Sequence, residues 1–264
     1  MKKVTTRTIQ AFKGKEKFAT LTAYDAQTAR FLELAEIPLL LVGDSVGTTQ
    51  LGYASTIPVT LDDMVHHTAA VSRGNKTSLI LADLPFMTYQ LSVEQALRSS
   101  ARLLQEGGCD AVKLEGGAIR APAVSALVQN GIPVCAHIGL TPQSEKTIGI
   151  RVQGREPDAA DRLLADALAL EAAGAFAIVL EGMPAPLAKR ITEALAIPTI
   201  GIGAGPDCDG QVLVVTDLLG LGGAFTPKFA KHYAELGEAI VKAALAYKTD
   251  VAASRFPAPE HTYT

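Results

Sequence analysis

Seven short apolar runs, each closed by a polar residue or a glycine, recur along this chain. They occupy residues 18–24, 39–44, 79–83, 111–115, 133–137, 177–181 and 199–203. Runs this continuous have no polar face, so they suit strands buried on both sides, as in a parallel sheet. Helical patterns lie between them. Residues 92–106 begin with Ser92 as a capping side chain, carry apolar residues at 93, 96, 97, 101, 103 and 104, and stop at Gly107-Gly108. Residues 158–173 are rich in alanine and leucine and end at Gly174, and residues 184–195 begin with proline and end before Ile197-Pro198. Repeated strand–helix alternation builds right-handed βαβ units and a parallel sheet. At 264 residues the chain has the length of one α/β barrel.

A barrel needs an eighth strand. Residues 212–215 are apolar enough, but only 204–211 separate them from the seventh run. That leaves little room for a crossover of about ten residues. The spacing instead predicts a helix over 209–219, capped by Asp207 or Asp209 and stopped at Gly220, then a short last strand near 223–226. Residues 231–247 read as a C-terminal helix and 249–264, with two prolines, as a loosely held tail. No linker or low-complexity tract divides the chain. The expectation is one domain over 1–264, a (β/α)8 TIM barrel with an N-terminal extension, a C-terminal helix and a tail.

The chemistry sits where the strands end. In a βα barrel, polar residues at the C-terminal ends of strands face the mouth. Asp44, Asp83, Glu115, His137 and Glu181 each end a different run. Lys113 stands two residues before Glu115, so the two side chains share a face. Any one of these has an ordinary reading as a helix cap, a turn or a core histidine. Together they are too costly to bury without a purpose. Several carboxylates with no Cys/His cluster point to a hard divalent cation, Mg²⁺ before Zn²⁺.

Other chemistries lack support. Gly201-Ile202-Gly203-Ala204-Gly205 resembles a dinucleotide fingerprint, but Pro206 stands where the third glycine belongs and the motif follows the seventh strand. Its glycines suit a tight turn or a close approach of backbone to ligand. There is no GxSxG or P-loop, and His66-His67 point about 100° apart on a helix and share no metal easily. Three scattered cysteines favour neither disulfides nor a zinc site and suit a reducing cytoplasm. The net charge of −3 gives no footprint for nucleic acid or a membrane surface. Charge follows Met1 without an apolar stretch, so no signal peptide is expected, and no apolar run reaches the ~20 residues of a bilayer span.

Six segments carry a resemblance. They are Val42-Gly43-Asp44-Ser45-Val46-Gly47, Thr56-Ile57-Pro58-Val59-Thr60, Leu81-Ala82-Asp83-Leu84-Pro85-Phe86, Val112-Lys113-Leu114-Glu115-Gly116-Gly117, His137-Ile138-Gly139-Leu140-Thr141-Pro142-Gln143-Ser144 and Gly201-Ile202-Gly203-Ala204-Gly205. In this order they resemble the ketopantoate (3-methyl-2-oxobutanoate) hydroxymethyltransferase family, which belongs with the phosphoenolpyruvate/pyruvate-type TIM barrels. The chain departs from the commoner pattern at Val46, Thr48 and Ala54.

The resemblance implies a reaction and roles. A hydroxymethyl group would pass from 5,10-methylenetetrahydrofolate to 3-methyl-2-oxobutanoate, giving 2-dehydropantoate for pantothenate biosynthesis through a Mg²⁺-stabilised enolate. Asp44, Asp83 and Glu115 match the magnesium site, some of them acting through water. Asp44, Ser45, Asp83 and Lys113 match residues that hold the 2-oxo acid, and His137 lines the same pocket. Glu181 matches the general base. The partners implied are the 2-oxo acid, the folate and further copies of the chain, as a homodecamer. The alternatives are a Mg²⁺-dependent lyase or carboligase on another 2-oxo acid, and a catalytically silent metabolite-binding barrel.

Overall fold

The structure is a computed structural model and describes residues 2–222 and 226–263. The chain divides into two compact units, one ending at Val214 and one beginning at Val215. The first unit is a closed barrel of eight parallel strands in sequential order. They are β1 Phe18–Thr22, β2 Leu39–Val42, β3 Leu79–Asp83, β4 Ala111–Glu115, β5 Val134–Gly139, β6 Ala177–Glu181, β7 Thr199–Ile202 and β8 Gly210–Leu213, with β8 pairing back to β1. Crossover helices lie where the apolar periodicity predicts them. Helix Val93–Arg102 is capped by Ser92, whose side chain accepts from Gln95 N–H. It runs on as a π-helical turn, Leu103–Gly107, ended by Gly108 at φ 74°.

The alternation of strand side chains sorts the barrel interior into levels. Phe18, Leu39, Leu41, Leu79, Leu81, Ala111, Cys135, Ala177, Val179, Ile200, Ile202 and Val212 belong to one buried apolar cluster. Two residues further along the same faces stand Asp83, Lys113, His137 and Glu181. The interior is therefore apolar through its lower levels and charged at the strand ends.

The N-terminal extension closes the lower end. Thr5 caps helix Thr6–Ala11, and Ile9 on that helix is fully buried in the same cluster. Phe12 stacks on Phe18 with ring centres 5.2 Å apart. Val4 N–H donates to Thr77 O at 2.7 Å and Lys3 Nζ to Ser78 O at 2.8 Å, both just before β3 begins.

The eighth strand differs from the sequence expectation. It is Gly210–Leu213; within 209–219 only Val215–Leu218 is α-helical. Positions 223–225, most of the expected last strand, lie outside the described residues. A crossover helix is not needed here. A four-residue strand such as β7 rises about 13 Å, and the chain over 203–209 can reach about 23 Å. Asp209 does not cap a helix. Its carboxylate accepts from Gly14 N–H at 3.0 Å and Thr199 N–H at 2.9 Å and pairs with Lys13 Nζ at 3.0 Å. Those contacts fix the start of β8 beside β7 and β1. The loop turns at Gly205, φ 82°, where a Cβ would collide with Ala185. The Gly201–Gly205 motif thus serves a tight turn.

In the second unit the C-terminal helix is Leu236–Ala252, shifted from the expected 231–247. Residues before it are held as turns, with Tyr233 N–H on Leu218 O at 2.8 Å and Leu236 N–H on Leu219 O at 2.9 Å. Nothing breaks the helix until Ser254, at φ 54°, so it runs into the expected tail. The tail then forms a 3₁₀ turn at Pro259–His261. Among the described residues no helix is long and apolar enough to cross a membrane.

Candidate active site

Strand register gathers the charged residues. Asp83 on β3 lies beside Lys113 on β4, Glu115 beside His137 on β5, and Gly139 beside Glu181 on β6. Neighbouring strands are about 4.8 Å apart, so side chains on one face at paired positions meet. Asp44 and Ser45 arrive on the turn after β2. A Cβ at Gly43 would lie 2.7 Å from Ser45 Oγ, so glycine there lets the turn fold tightly. Asp44 N–H then donates to Asp83 Oδ2 at 3.0 Å. Ser45 Oγ is 2.8 Å from the hydroxyl of buried Tyr24. All seven residues singled out in the sequence, Asp44, Ser45, Asp83, Lys113, Glu115, His137 and Glu181, come together at the strand ends.

Lys113 and His137 form the cationic centre. Lys113 Nζ is 3.1 Å from Asp83 Oδ1 and 3.3 Å from His137 Nδ1. Burial alone would lower the lysine pKa, but the charges of Asp83, Glu115 and Asp44 outweigh it and hold the amine protonated. His137 Nδ1 is 3.5 Å from Glu115 Oε1, and its Nε2 is 3.2 Å from Glu181 Oε2. Burial and the Lys113 charge would lower this imidazole; Glu115 and Glu181 overcome both and push it up to about 9. The Asp83 Oδ1 and His137 Nε2 contacts are ion pairs at close range, not aligned hydrogen bonds.

The carboxylates are not equivalent. Asp44 is pushed well above the usual carboxylate range, first by burial and then by the charges of Asp83 and Glu115. Asp83 is raised by burial despite Lys113 beside it. Burial would raise Glu115 too, but its contact with His137, the charges of His137 and Lys113 and the Gln143 N–H bring it below the ordinary value. Glu181 keeps 16 % of its side chain exposed where Glu115 keeps 3 %. Burial pushes the nearby Cys135 thiol up to about 12, so it is no thiolate.

Asp44 and Asp83 fit a hard cation through the chemistry of their oxygens. Burial raises both carboxylates, the Asp83 charge raises Asp44 further, and the buried cation beside them, Lys113, does not bring either back down. Among the described residues no three His, Cys, Asp or Glu side chains close into a preformed cage. Glu115 explains this, because one oxygen faces His137 and the other accepts from Gln143 N–H at 3.1 Å. Mg²⁺ keeps several waters and is commonly held by one or two carboxylates, so it does not require a cage.

Two residues at the centre of this cluster escaped the sequence reading. Gln143, in the turn Pro142–Ser144 after β5, is buried and bonds Asp44, Leu84, Tyr89, Gln90 and Glu115. Tyr89 accepts from Glu115 N–H at 3.0 Å and sits under the Arg120 guanidinium, 5.5 Å from its ring centre. Gln143 lay inside the quoted 137–144 segment, and a polar residue straight after Thr141-Pro142 at a strand end was its signal. Tyr89 gave none, since an aromatic after a strand reads as core.

The sequence pattern of the ketopantoate hydroxymethyltransferases matches residues 3–259. The chain belongs to the ketopantoate hydroxymethyltransferase family. It is 56 % identical over 261 residues to a 3-methyl-2-oxobutanoate hydroxymethyltransferase of Chloroflexus aurantiacus, covering 98 % of this chain and 92 % of that one. With the enzyme of the same name from Moorella thermoacetica it shares 53 % over 263 residues, 99 % of this chain and 98 % of the other. The family member described here is therefore an enzyme, a hydroxymethyltransferase. Its barrel also resembles that of 2,3-dimethylmalate lyase, a PEP mutase/isocitrate lyase superfamily member, at a TM-score of 0.61 and 19 % identity over 98 % of this chain and 90 % of that one.

Proposed function

We propose that this enzyme transfers a hydroxymethyl group from 5,10-methylenetetrahydrofolate to 3-methyl-2-oxobutanoate, giving 2-dehydropantoate on the route to pantothenate. The observation that carries the reading is the line Asp83, Lys113, His137, Glu181, which runs from a buried positive charge to a carboxylate that is partly exposed. The acceptor's C3 hydrogen is weakly acidic, so the site must take that proton and stabilise the charge left behind. Glu181 is the base. Its carboxylate is partly open to the mouth, and His137 holds it from behind. Lys113 sets a protonated amine where negative charge develops on the keto oxygen. Asp83 fixes that amine with an ion pair at 3.1 Å, so it needs no rearrangement as the reaction proceeds. Ser45, anchored by Tyr24, is placed to donate to the acid's carboxylate.

Asp44 and Asp83 would hold Mg²⁺, with Glu115 acting through water, and the ion would supply Lewis-acid polarisation of the 2-oxo acid. Association into an oligomer, as a homodecamer in a cytoplasmic setting, belongs to the same reading. Leu236, Ile240, Val241 and Leu245 lie exposed at helical spacing on Leu236–Ala252, a surface of the kind such contacts cover.

The experiment is an NMR assay of purified protein with 3-methyl-2-oxobutanoate, 5,10-methylenetetrahydrofolate and Mg²⁺, alongside a control in excess chelator. A hydroxymethyl group on C3 that forms only with folate and metal is the expected result. Product without folate rejects the donor, product in chelator rejects the metal, and no product from folded protein rejects the acceptor.

A further inference from the structure

We infer that Gln143 is the residue that aims the metal-binding carboxylates, by holding Asp44 and Glu115 each through one oxygen. The inference rests on the metal reading above and deepens it. Gln143 Nε2 donates to Asp44 Oδ2 at 2.8 Å and to Leu84 O at 2.9 Å. Its own backbone N–H donates to Glu115 Oε2 at 3.1 Å. One residue after β5 therefore grips acids from the ends of β2 and β4 and the backbone after β3.

The amide can sit only one way round. Asp44 Oδ2 and Leu84 O are both acceptors, so nitrogen must face them. Oε1 then faces donors, the Tyr89 hydroxyl at 2.7 Å and Gln90 Nε2 at 3.2 Å. Tyr89 is set in turn by Glu115, whose N–H donates to its oxygen at 3.0 Å and whose carbonyl, at 3.1 Å, shares the phenolic proton with the closer Gln143 Oε1. The local sequence makes the turn rigid. Pro142 opens it, and Ser144 N–H closes on Thr141 O at 2.8 Å.

The consequence falls on the free oxygens. Asp83 has Oδ2 on Asp44 N–H and Oδ1 beside Lys113, and Glu115 has Oε1 beside His137. Asp44 Oδ2 is held by Gln143, so Oδ1 is the Asp44 oxygen left to turn toward a cation. Removing the amide frees Asp44 to rotate, takes the Gln143 donor from Leu84 O and leaves the Tyr89 hydroxyl to Glu115 alone. Groups that orient metal ligands from behind typically change affinity 10- to 100-fold.

The test measures metal directly. Mn²⁺, a paramagnetic stand-in for Mg²⁺, is titrated into the full chain and the free ion is followed by electron paramagnetic resonance. Gln143→Ala is expected to weaken Mn²⁺ binding by about 10-fold or more. Tyr89→Phe, which keeps the amide but removes the donor that orients it, should weaken binding by a smaller factor. In the activity assay, the Mg²⁺ concentration for half-maximal rate should rise by a larger factor than kcat falls. A folded Gln143→Ala protein with wild-type Mn²⁺ affinity overturns the inference. Should that variant not fold, unchanged affinity in Tyr89→Phe overturns it instead. Wild-type protein that binds no Mn²⁺ overturns the metal reading and this inference with it, whereas wild-type binding retained in both variants overturns this inference alone.

Discussion

Glu181 Oε2 lies 3.2 Å from His137 Nε2, and the other nitrogen of that imidazole lies 3.3 Å from Lys113 Nζ and 3.5 Å from Glu115 Oε1. One ring thus joins the partly exposed Glu181 carboxylate to the buried charges beneath it. The register of β4, β5 and β6 creates this contact, because Glu115 pairs with His137 and Gly139 with Glu181. Glycine is required at 139, φ 97°, because a Cβ there would collide with the Glu181 carbonyl oxygen.

Glu181→Gln should fold and bind 3-methyl-2-oxobutanoate but lose turnover by about 10²-fold or more, the usual contribution of a positioned base. Deuterium exchange at C3 of the acceptor, followed by NMR without folate, isolates the proton-transfer step. Exchange at the wild-type rate would remove Glu181 from that role.

Asp83→Ala should raise the Mg²⁺ concentration needed for activity. It also takes away the acceptor of Asp44 N–H and the partner of Lys113, so substrate affinity should fall with it. A Mg²⁺ titration of the initial rate, with metal first stripped by chelator, reads both effects. An unshifted titration curve counts against Asp83 as a ligand.

Lys113→Ala should be damaging to stability as well as to rate. The amine is buried against Asp83 and feels the charge of Glu115, two residues further along the same strand. Removing one partner of a buried pair costs about 3–5 kcal/mol. Denaturant unfolding measures the loss, and a variant with wild-type stability and wild-type kinetics would contradict both parts.

Asp209 gives a pH-dependent prediction away from the site. Burial would raise its pKa, but Thr199 N–H, Gly14 N–H and Lys13 hold it below the ordinary value. A carboxylate depressed in the folded state contributes stability that is present above its unfolded pKa near 3.9 and is lost as pH falls through the lower folded value. Asp209→Asn should therefore cost about 2 kcal/mol at neutral pH. The gap between the two melting temperatures should close in acid below about pH 4. A gap that is constant from pH 7 to pH 3 would show that the charge of Asp209 is not what matters.

What the sequence makes legible follows from where information is local. β3, β4 and β6 match their predicted limits because each runs apolar to a charged last residue, and the same rule found the site residues. β8 was not legible because its neighbours, not its own pattern, define it. It opens at a glycine whose Cβ position is filled by Phe18, and its anchor Asp209 acts through Thr199 on β7 and through Gly14, 195 residues away in sequence. Gln143 and Tyr89 were missed for a related reason. They lie in loops, where no period of two assigns a side chain to a face, and their meaning comes from partners on three other strand ends. The C-terminal helix shows the limit of composition, since its start depends on backbone bonds to Leu218 and Leu219 that no residue pattern announces.

The plug formed by Ile9, with Phe12 stacked on Phe18, makes the barrel a well with one opening. Traffic through a single doorway has an order. On the reaction proposed above, an acid that reaches down to Lys113 would enter before a donor seated across the rim and leave after it. The short helix before β1 would then constrain the kinetic scheme as well as the fold.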